Sequence, residues 1–349
     1  MVTTAWRPRG RAASAAPLFA PLVGRHPWAG AAGGPASSVV HPASPQAGQI
    51  ALLWWIAVGI SAVVYVLVVA AFFIAIARHR AQEGPPAGAD PRAERRATRI
   101  VIGAAVATVV ILAAWFGLSV ASARALERPP AHPVRVEVIG HQWWWELHYA
   151  GASPSDAVTS ANELHVPVGI PVQLQLASAD VIHSFWVPSL DGKRDLIPGT
   201  RTTTWFRVDR PGVYRGQCAE LCGLEHAHMA LLVIAEPKAQ FDQWLATQRA
   251  PAVPPADPVT WRGQAIFLGA ACSLCHTIRG TGAGALSAPD LTHLASRRTI
   301  AAGALPNAPG TLGAWIADPH AFKRGTIMPA TRLDGGAMQA LVAYLRSLR

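Results

Sequence analysis

The chain of 349 residues has only four cysteines, and they fall as two pairs, Cys218 with Cys222 and Cys272 with Cys275. Both pairs sit inside motifs, so none is left for a separate disulfide framework. Charge is also scarce: 14% of residues are charged against 51% hydrophobic, a balance that points to membrane. Acids are the scarcer sign, at 20 against 30 bases, which leaves a net charge of +10. Arg7, Arg9, Arg11 and Arg25 precede the first apolar run with no acid among them. Residues 78–99 carry +3, 123–249 carry −2 and 250–349 carry +5. The bases sit mostly on tails and beside apolar runs, so the surplus does not read as a nucleic-acid surface.

Residues 1–49 lack any periodicity and are expected to be a leader or disordered N-terminus. Pro17 and Pro21 interrupt the only stretch that resembles a signal peptide. Charge then disappears twice, over Ile50–Ala77 and Ile100–Ser122. At ~1.5 Å per residue, each run can cross a hydrocarbon core of ~30 Å. The Arg-dense segment between them belongs on the cytoplasmic side by the positive-inside rule, which puts both termini outside. Trp54 and Trp55 fit an interfacial belt. A transmembrane hairpin is therefore expected over 50–126, with spans at 50–77 and 100–122, in a bacterial-type plasma membrane.

From Val134 the pattern changes to period two. Val134, Val136 and Val138 alternate with Arg135 and Glu137, and Val172, Leu174 and Leu176 alternate with Gln173 and Gln175. Turns are signalled at Gly169, Pro171, Pro198, Gly199, Pro211 and Gly212. This predicts an antiparallel all-β sandwich over 133–249. Near its end, Cys218-Ala-Glu-Leu-Cys-Gly-Leu-Glu-His-Ala-His-Met229 places two thiols, two imidazoles and a thioether on one short loop. His183 lies upstream among apolar residues. Soft sulfur donors beside imidazole suit copper, and two ions bridged by both thiolates would use the whole set, with the Glu220 carbonyl as a further donor. A zinc site using His183 or His228, or a Cys218–Cys222 disulfide, fits the cysteine spacing as well. Neither accounts for Met229.

That loop resembles the binuclear CuA motif of cytochrome c oxidase subunit II, Cys-x-Glu-x-Cys-Gly-x-x-His-x-x-Met. It matches at Cys218, Glu220, Cys222, Gly223, His226 and Met229. The resemblance implies a cupredoxin-like fold with His183 as a further copper ligand. It also implies that the Glu220 side chain helps hold Mg²⁺ at the boundary with a partner subunit. Gly140-His-Gln-Trp-Trp-Trp resembles the family's aromatic segment, which implies that Trp143 lies at the surface over CuA and receives the electron from cytochrome c. The family's Glu near the start of the second span is followed three residues later by Trp. Here Glu94 is followed by Arg95, Arg96 and Ala97, so that proton-path role is not carried over.

Ala250–Pro258 is a Pro-rich spacer with a reach of roughly 25–28 Å. Beyond it, Cys272-Ser-Leu-Cys-His276 is a covalent haem c attachment signal: the thiols bond the haem and His276 ligates iron. Met328, held by Pro329, is the expected sixth ligand. Met338 falls on an apolar helical stripe with Leu341, Leu345 and Leu348 and is assigned to the core, while His293 and His320 are weaker candidates. Residues 259–349 resemble an all-α class I cytochrome c domain, with Gly263 and Tyr344 at the crossing of its first and last helices. The order of parts resembles the subunit II of caa-type oxidases. That implies a function: accepting single electrons from cytochrome c or a reductase, and passing them from haem c to CuA. Subunit I, among the other oxidase subunits, would then reduce oxygen and pump protons. A membrane-anchored copper chaperone or thiol redox protein is the alternative, and it needs neither Met229 nor a haem motif. The opposite charges of the two outer domains predict electrostatic docking between them and transfer that weakens with ionic strength.

Overall fold

The computed structural model describes residues 37–80, 90–127, 130–151, 153 and 156–349. Most of the expected leader and much of the Arg-dense connection lie outside these residues. Two long helices come first, α1 (Pro45–Arg80) and α2 (Pro91–Ala125). Both are long and apolar enough to cross a membrane, and the apolar stretch of each is exposed along its length. A solvated helix could not leave Val63–Leu67 and Val109–Leu112 uncovered, so this surface calls for lipid or partner helices.

Residues 37–49 are not a loose leader. The Ser44 hydroxyl accepts from the Ala47 amide at 3.0 Å and starts α1, with Pro45 in the first turn, where its missing N–H costs nothing. Ala43, Ala47 and Ala51 are buried, and Ala43 exchanges backbone bonds with Ser189 and Asp209, which fastens this end to the β-domain. The end of α2 is tied to the same domain, where Trp205 Nε1 donates to the Leu126 carbonyl at 2.7 Å.

The β-domain is a sandwich of two five-stranded sheets. One runs β3 (Val158–Ala161), β2 (Trp144–Tyr149), β1 (Val134–His141), β5 (Pro171–Ser178) and β8 (Thr202–Arg207). The other runs β4 (Glu163–Pro167), β10 (Ala230–Glu236), β9 (Gly212–Cys218), β6 (His183–Trp186) and β7 (Arg194–Leu196). The period-two pattern faces as expected, with Val136, Val138, Val172, Leu174 and Leu176 buried. Each such side chain contributes about 1.5–3 kcal/mol when fully buried. The sheets are mixed rather than antiparallel, since β1 pairs with β5, and β4 with β10, in parallel. Alternation specifies which face a residue takes but not the direction of the neighbouring strand. A helix, α3 (Lys238–Arg249), follows β10 and packs Phe241 and Trp244 against Tyr149.

The C-terminal domain holds α4 (Pro258–Gly269), α5 (Pro309–Ala317) and α6 (Gly335–Ser347), with two short two-stranded ladders. Asp257 caps α4 in a capping box with Thr260. Helices α4 and α6 cross where Gly263 lies against Ala340 and Tyr344. A Cβ at Gly263 would come within 2.1 Å of the Ala340 carbonyl oxygen, so only glycine fits. The Pro-rich segment is not a free tether. Ala252 donates to the Arg279 carbonyl, His293 Nε2 lies 3.1 Å from the Ala250 oxygen, and Arg279 reaches the Gln248 and Arg249 carbonyls.

Candidate functional site

The copper-motif residues converge at one end of the sandwich. Strand β9 ends at Cys218, the chain loops through a 3-10 turn at His226–His228, and β10 begins just after Met229. The Cys218 amide donates to the Met229 carbonyl at 2.9 Å, which closes the loop, and the Ala219 amide donates to Ser184 beside His183. Cys218 Sγ lies 3.8 Å from His183 Nδ1 and 3.2 Å from the Glu220 carbonyl oxygen. Cys222 Sγ lies 3.6 Å from His226 Nδ1 and 3.8 Å from Met229 Sδ. The donor atoms of His183, Cys218 and Cys222 all lie within 4.8 Å of one another. All six expected donors are thus brought together, and soft sulfur beside imidazole fits copper.

His183 is wholly buried, and its Nε2 meets the Asp180 carboxylate at 2.8 Å, which leaves Nδ1 for the sulfur side. Burial works against its protonation, but Cys218 and Asp180 outweigh that and raise its pKa. The thiols are strongly coupled. A hydrogen bond from Cys222 pulls Cys218 far below the ordinary thiol range, and Cys222 is pushed up in return. Gly140 leaves room for the imidazole, since a Cβ there would approach the His183 ring to 2.8 Å. The Glu220 carbonyl turns inward while its half-exposed carboxylate faces Lys193 at 3.7 Å.

The haem-motif residues surround a cavity of about 500 Å³ lined by Cys272, Cys275, His276 and Met328 together with Phe267, Leu312, Ile316, Leu341 and Leu345. His276 Nδ1 donates to the Pro289 carbonyl at 2.7 Å, which orients the ring and leaves Nε2 for the cavity; burial lowers its pKa. A thiol pair, an imidazole and a thioether around an apolar space of this size fit a covalently attached haem. Met338 packs in the core and does not line the cavity. His293 is engaged by the Ala250 and Arg349 oxygens, and His320 is exposed.

Trp143 is only 8% exposed, against the expectation of a free surface position. Its Nε1 donates to the Cys222 carbonyl at 3.0 Å, and the residue also lines the haem cavity. The C-terminal domain covers it, so what an outside protein would meet is that domain. Gln142 Nε2 makes a second bond to the Cys222 carbonyl at 2.8 Å. Lys323, buried in the junction, donates to the Trp143 carbonyl at 2.7 Å, and burial pulls its ammonium down to about 8. Glu163, also buried, accepts from the Arg298 and Thr299 amides at 2.8 and 2.9 Å.

Among the described residues no ion pair crosses between the two domains. Opposite charges nonetheless face each other at longer range, Glu163 toward Arg297 and Lys323 toward Glu225, so complementarity is present without a direct ion pair. The buried Glu163 carboxylate and Lys323 ammonium also bond backbone groups across the junction. Lys323 and Glu163 have no sequence signal. Asp180 had one, its position three residues before His183.

Fold and sites together define a membrane-anchored protein with a copper-binding cupredoxin domain and a haem c-binding domain. Residues 152–236 match the family model of the cytochrome c oxidase subunit II periplasmic domain, and residues 261–349 match that of cytochrome c. The chain thus carries a periplasmic domain of the cytochrome c oxidase subunit II family followed by a cytochrome c domain. It is similar to cytochrome c oxidase subunit 2 of Alkalihalophilus pseudofirmus, at 40% identity over 217 residues, 62% of this chain and 61% of that protein. Subunit 2 of a Bacillus species is 35% identical over 228 residues, 62% of each chain. The chain therefore spans about three fifths of the length of these relatives. A crystal structure of the periplasmic domain of cytochrome oxidase subunit II from Bradyrhizobium japonicum is 30% identical over 34% of this chain and 96% of that one, with a TM-score of 0.32.

Proposed function

We propose that the chain is the electron-accepting subunit of a haem–copper oxidase. It takes single electrons from an external cytochrome c or reductase at its C-terminal domain. It passes them to the sandwich, and from there to a subunit I that reduces oxygen and pumps protons. When bound, haem c and a binuclear copper pair supply the one-electron carriers.

The chain's own residues do the holding and insulating. Cys272 and Cys275 would hold the haem covalently, and His276 and Met328 would supply ligands to its iron. Cys218, Cys222, His183, His226, Met229 and the Glu220 carbonyl would together hold the copper. Trp143 would link the two sites. The outward Glu220 carboxylate would share Mg²⁺ with subunit I. The observation that carries this reading is that one side chain, Trp143, both lines the haem cavity and bonds the copper loop. The copper chaperone or thiol redox alternative is disfavoured because it accounts neither for Met229 beside Cys222 nor for the haem-motif residues around the cavity.

The test is metal and haem analysis of the purified full chain with optical and electron paramagnetic resonance spectra. Two copper ions sharing one unpaired electron per c-type haem are expected. Zinc, or a single copper, would refute the assignment.

A further inference from the structure

Nothing in the sequence marks the junction between the two outer domains, and its central contact involves a residue with no assigned role. Lys323 follows the short turn Pro319–Ala321 and is 3% exposed. Its Nζ reaches out of its own domain to the Trp143 carbonyl at 2.7 Å, with the Ala301 carbonyl at 3.5 Å. Two residues on, Gly325 adopts φ +80° and brings its backbone against the Trp143 ring. A Cβ there would lie 3.5 Å from that ring and 3.3 Å from Leu224. The turn that carries Lys323 is therefore moulded to Trp143.

A buried ammonium is costly unless it is bonded, and a flexible lysine on a free surface would stay in water. We propose that Lys323 is a positioning residue, a latch that holds the C-terminal domain closed over Trp143 and so keeps the two redox sites in register. The proposal rests on the function proposed above for its consequence, but not for its geometry. Three further backbone contacts close with the latch. The Arg298 and Thr299 amides bond Glu163, and the Ala230 amide bonds the Ala302 carbonyl at 2.9 Å. These amides report junction opening directly, because exchange with solvent requires the domains to part.

The test is Lys323→Met in the full chain loaded with haem and copper. Met keeps the length but leaves the Trp143 carbonyl without its donor. Hydrogen exchange should accelerate about tenfold at the amides of Ala230, Arg298 and Thr299, equivalent to about 1.4 kcal/mol. The α6 amides of Leu341 and Tyr344 should keep their protection, since a purely structural role would loosen these too. Transfer from photoreduced haem to copper should slow, with both spectra unchanged.

Junction exchange within twofold of the parent, or transfer at the parent rate, would overturn the proposal. Gly325→Ala, which leaves Lys323 in place and strains the turn against Trp143 at φ +80°, should produce the same two changes. If Lys323→Met fails to take up either cofactor, this variant decides, and parent-like junction exchange in it overturns the latch. A parent chain that transfers no electron would instead refute the proposed function, and junction exchange would still report on the latch.

Discussion

The two redox domains prepare for their cofactors in opposite ways. In the sandwich, sulfur, imidazole and carbonyl donors lie 3.2–3.8 Å from one another at one end of a closely packed core. In the C-terminal domain, the donors stand around a cavity of about 500 Å³ that borders this domain's core and reaches Trp143 of the sandwich. A copper centre would therefore sit among donors that already converge, whereas a haem would fill an apolar space between helices. The sandwich should fold first and load later, while the C-terminal domain should depend on attachment to become rigid.

The sharpest break in that contrast comes from removing each cofactor separately. Cavity formation costs up to roughly 24 cal/mol per Å³ where the space is enclosed, so a partly open apolar space of this size costs on the order of several kcal/mol. That is comparable to the whole stability of a small domain. Replacing Cys272 and Cys275 by Ala should leave the C-terminal domain protease-sensitive, with cleavage beyond Ala250, while the sandwich resists. Chelating copper should leave both domains folded and lower the sandwich melting temperature by only a few degrees, as about 1 kcal/mol would. Limited proteolysis and calorimetry on the same preparations check both arms. Equal sensitivity to the two treatments would remove the contrast.

How far the sequence revealed this arrangement follows the same division. Local patterns were readable: uncharged runs for α1 and α2, alternation for the buried strand faces, and ligand spacing for the two motifs. Gly263 and Tyr344 also met as expected. What was not readable depends on contacts between distant residues. Lys323 is buried only because Trp143, 180 positions away, comes to cover it, and Glu163 only because Thr299 does. Neither lies in a periodic pattern, and a lysine beside Arg324 or a glutamate beside Asn162 reads as solvated. The parallel pairing of β1 with β5 was hidden for a related reason: strand direction is decided by connections, not by alternation. The Pro-rich segment looked like a spacer because proline stiffens a chain whether or not carbonyls such as that of Ala250 are later engaged.

Within the C-terminal domain, the two methionines sharpen the distinction between ligand and filler. Met328 lines the cavity, whereas Met338 packs against the domain's core and does not line it. Met328→Ala should remove the low-spin, sulfur-ligated haem spectrum while the protein remains folded around its attached haem. Met338→Ala should keep that spectrum and lose about 1–2 kcal/mol of stability, less than a fully buried methionine because the site is partly open. Optical spectra and denaturant titration of the two variants separate these outcomes. Identical spectra in both would mean that Met328 is not a ligand.

The smallest effect tests whether the sandwich really stands without its metal, by way of a polar cluster on its outer face. Glu146 on β2 lies 2.8 Å from His141 and 3.1 Å from His148, and His141 stacks on Trp144 at 4.4 Å between centroids. Burial alone would raise the carboxyl's pKa. Hydrogen bonds from the two histidines outweigh it and bring it from 4.5 to about 2. A depressed carboxylate stabilises the fold fully above about pH 4.5, and that contribution is lost as pH falls toward 2. His148 shifts the other way, raised chiefly by its bond to Glu146, so its contribution holds below pH 6.5 and is lost as pH rises through its elevated value. The two windows overlap between about pH 4.5 and 6.5, where the copper-free sandwich should be most stable. Since the cluster borders solvent, screening reduces the effect to on the order of 1 kcal/mol. Glu146→Gln should flatten both limbs of the pH–stability curve for the copper-free sandwich measured by chemical denaturation. The melting of the C-terminal domain, which has no part of this cluster, should follow the parent at every pH. A curve for the sandwich unchanged by the substitution would mean that its acid limb belongs to the copper loop, and that the metal site is less finished than its geometry implies.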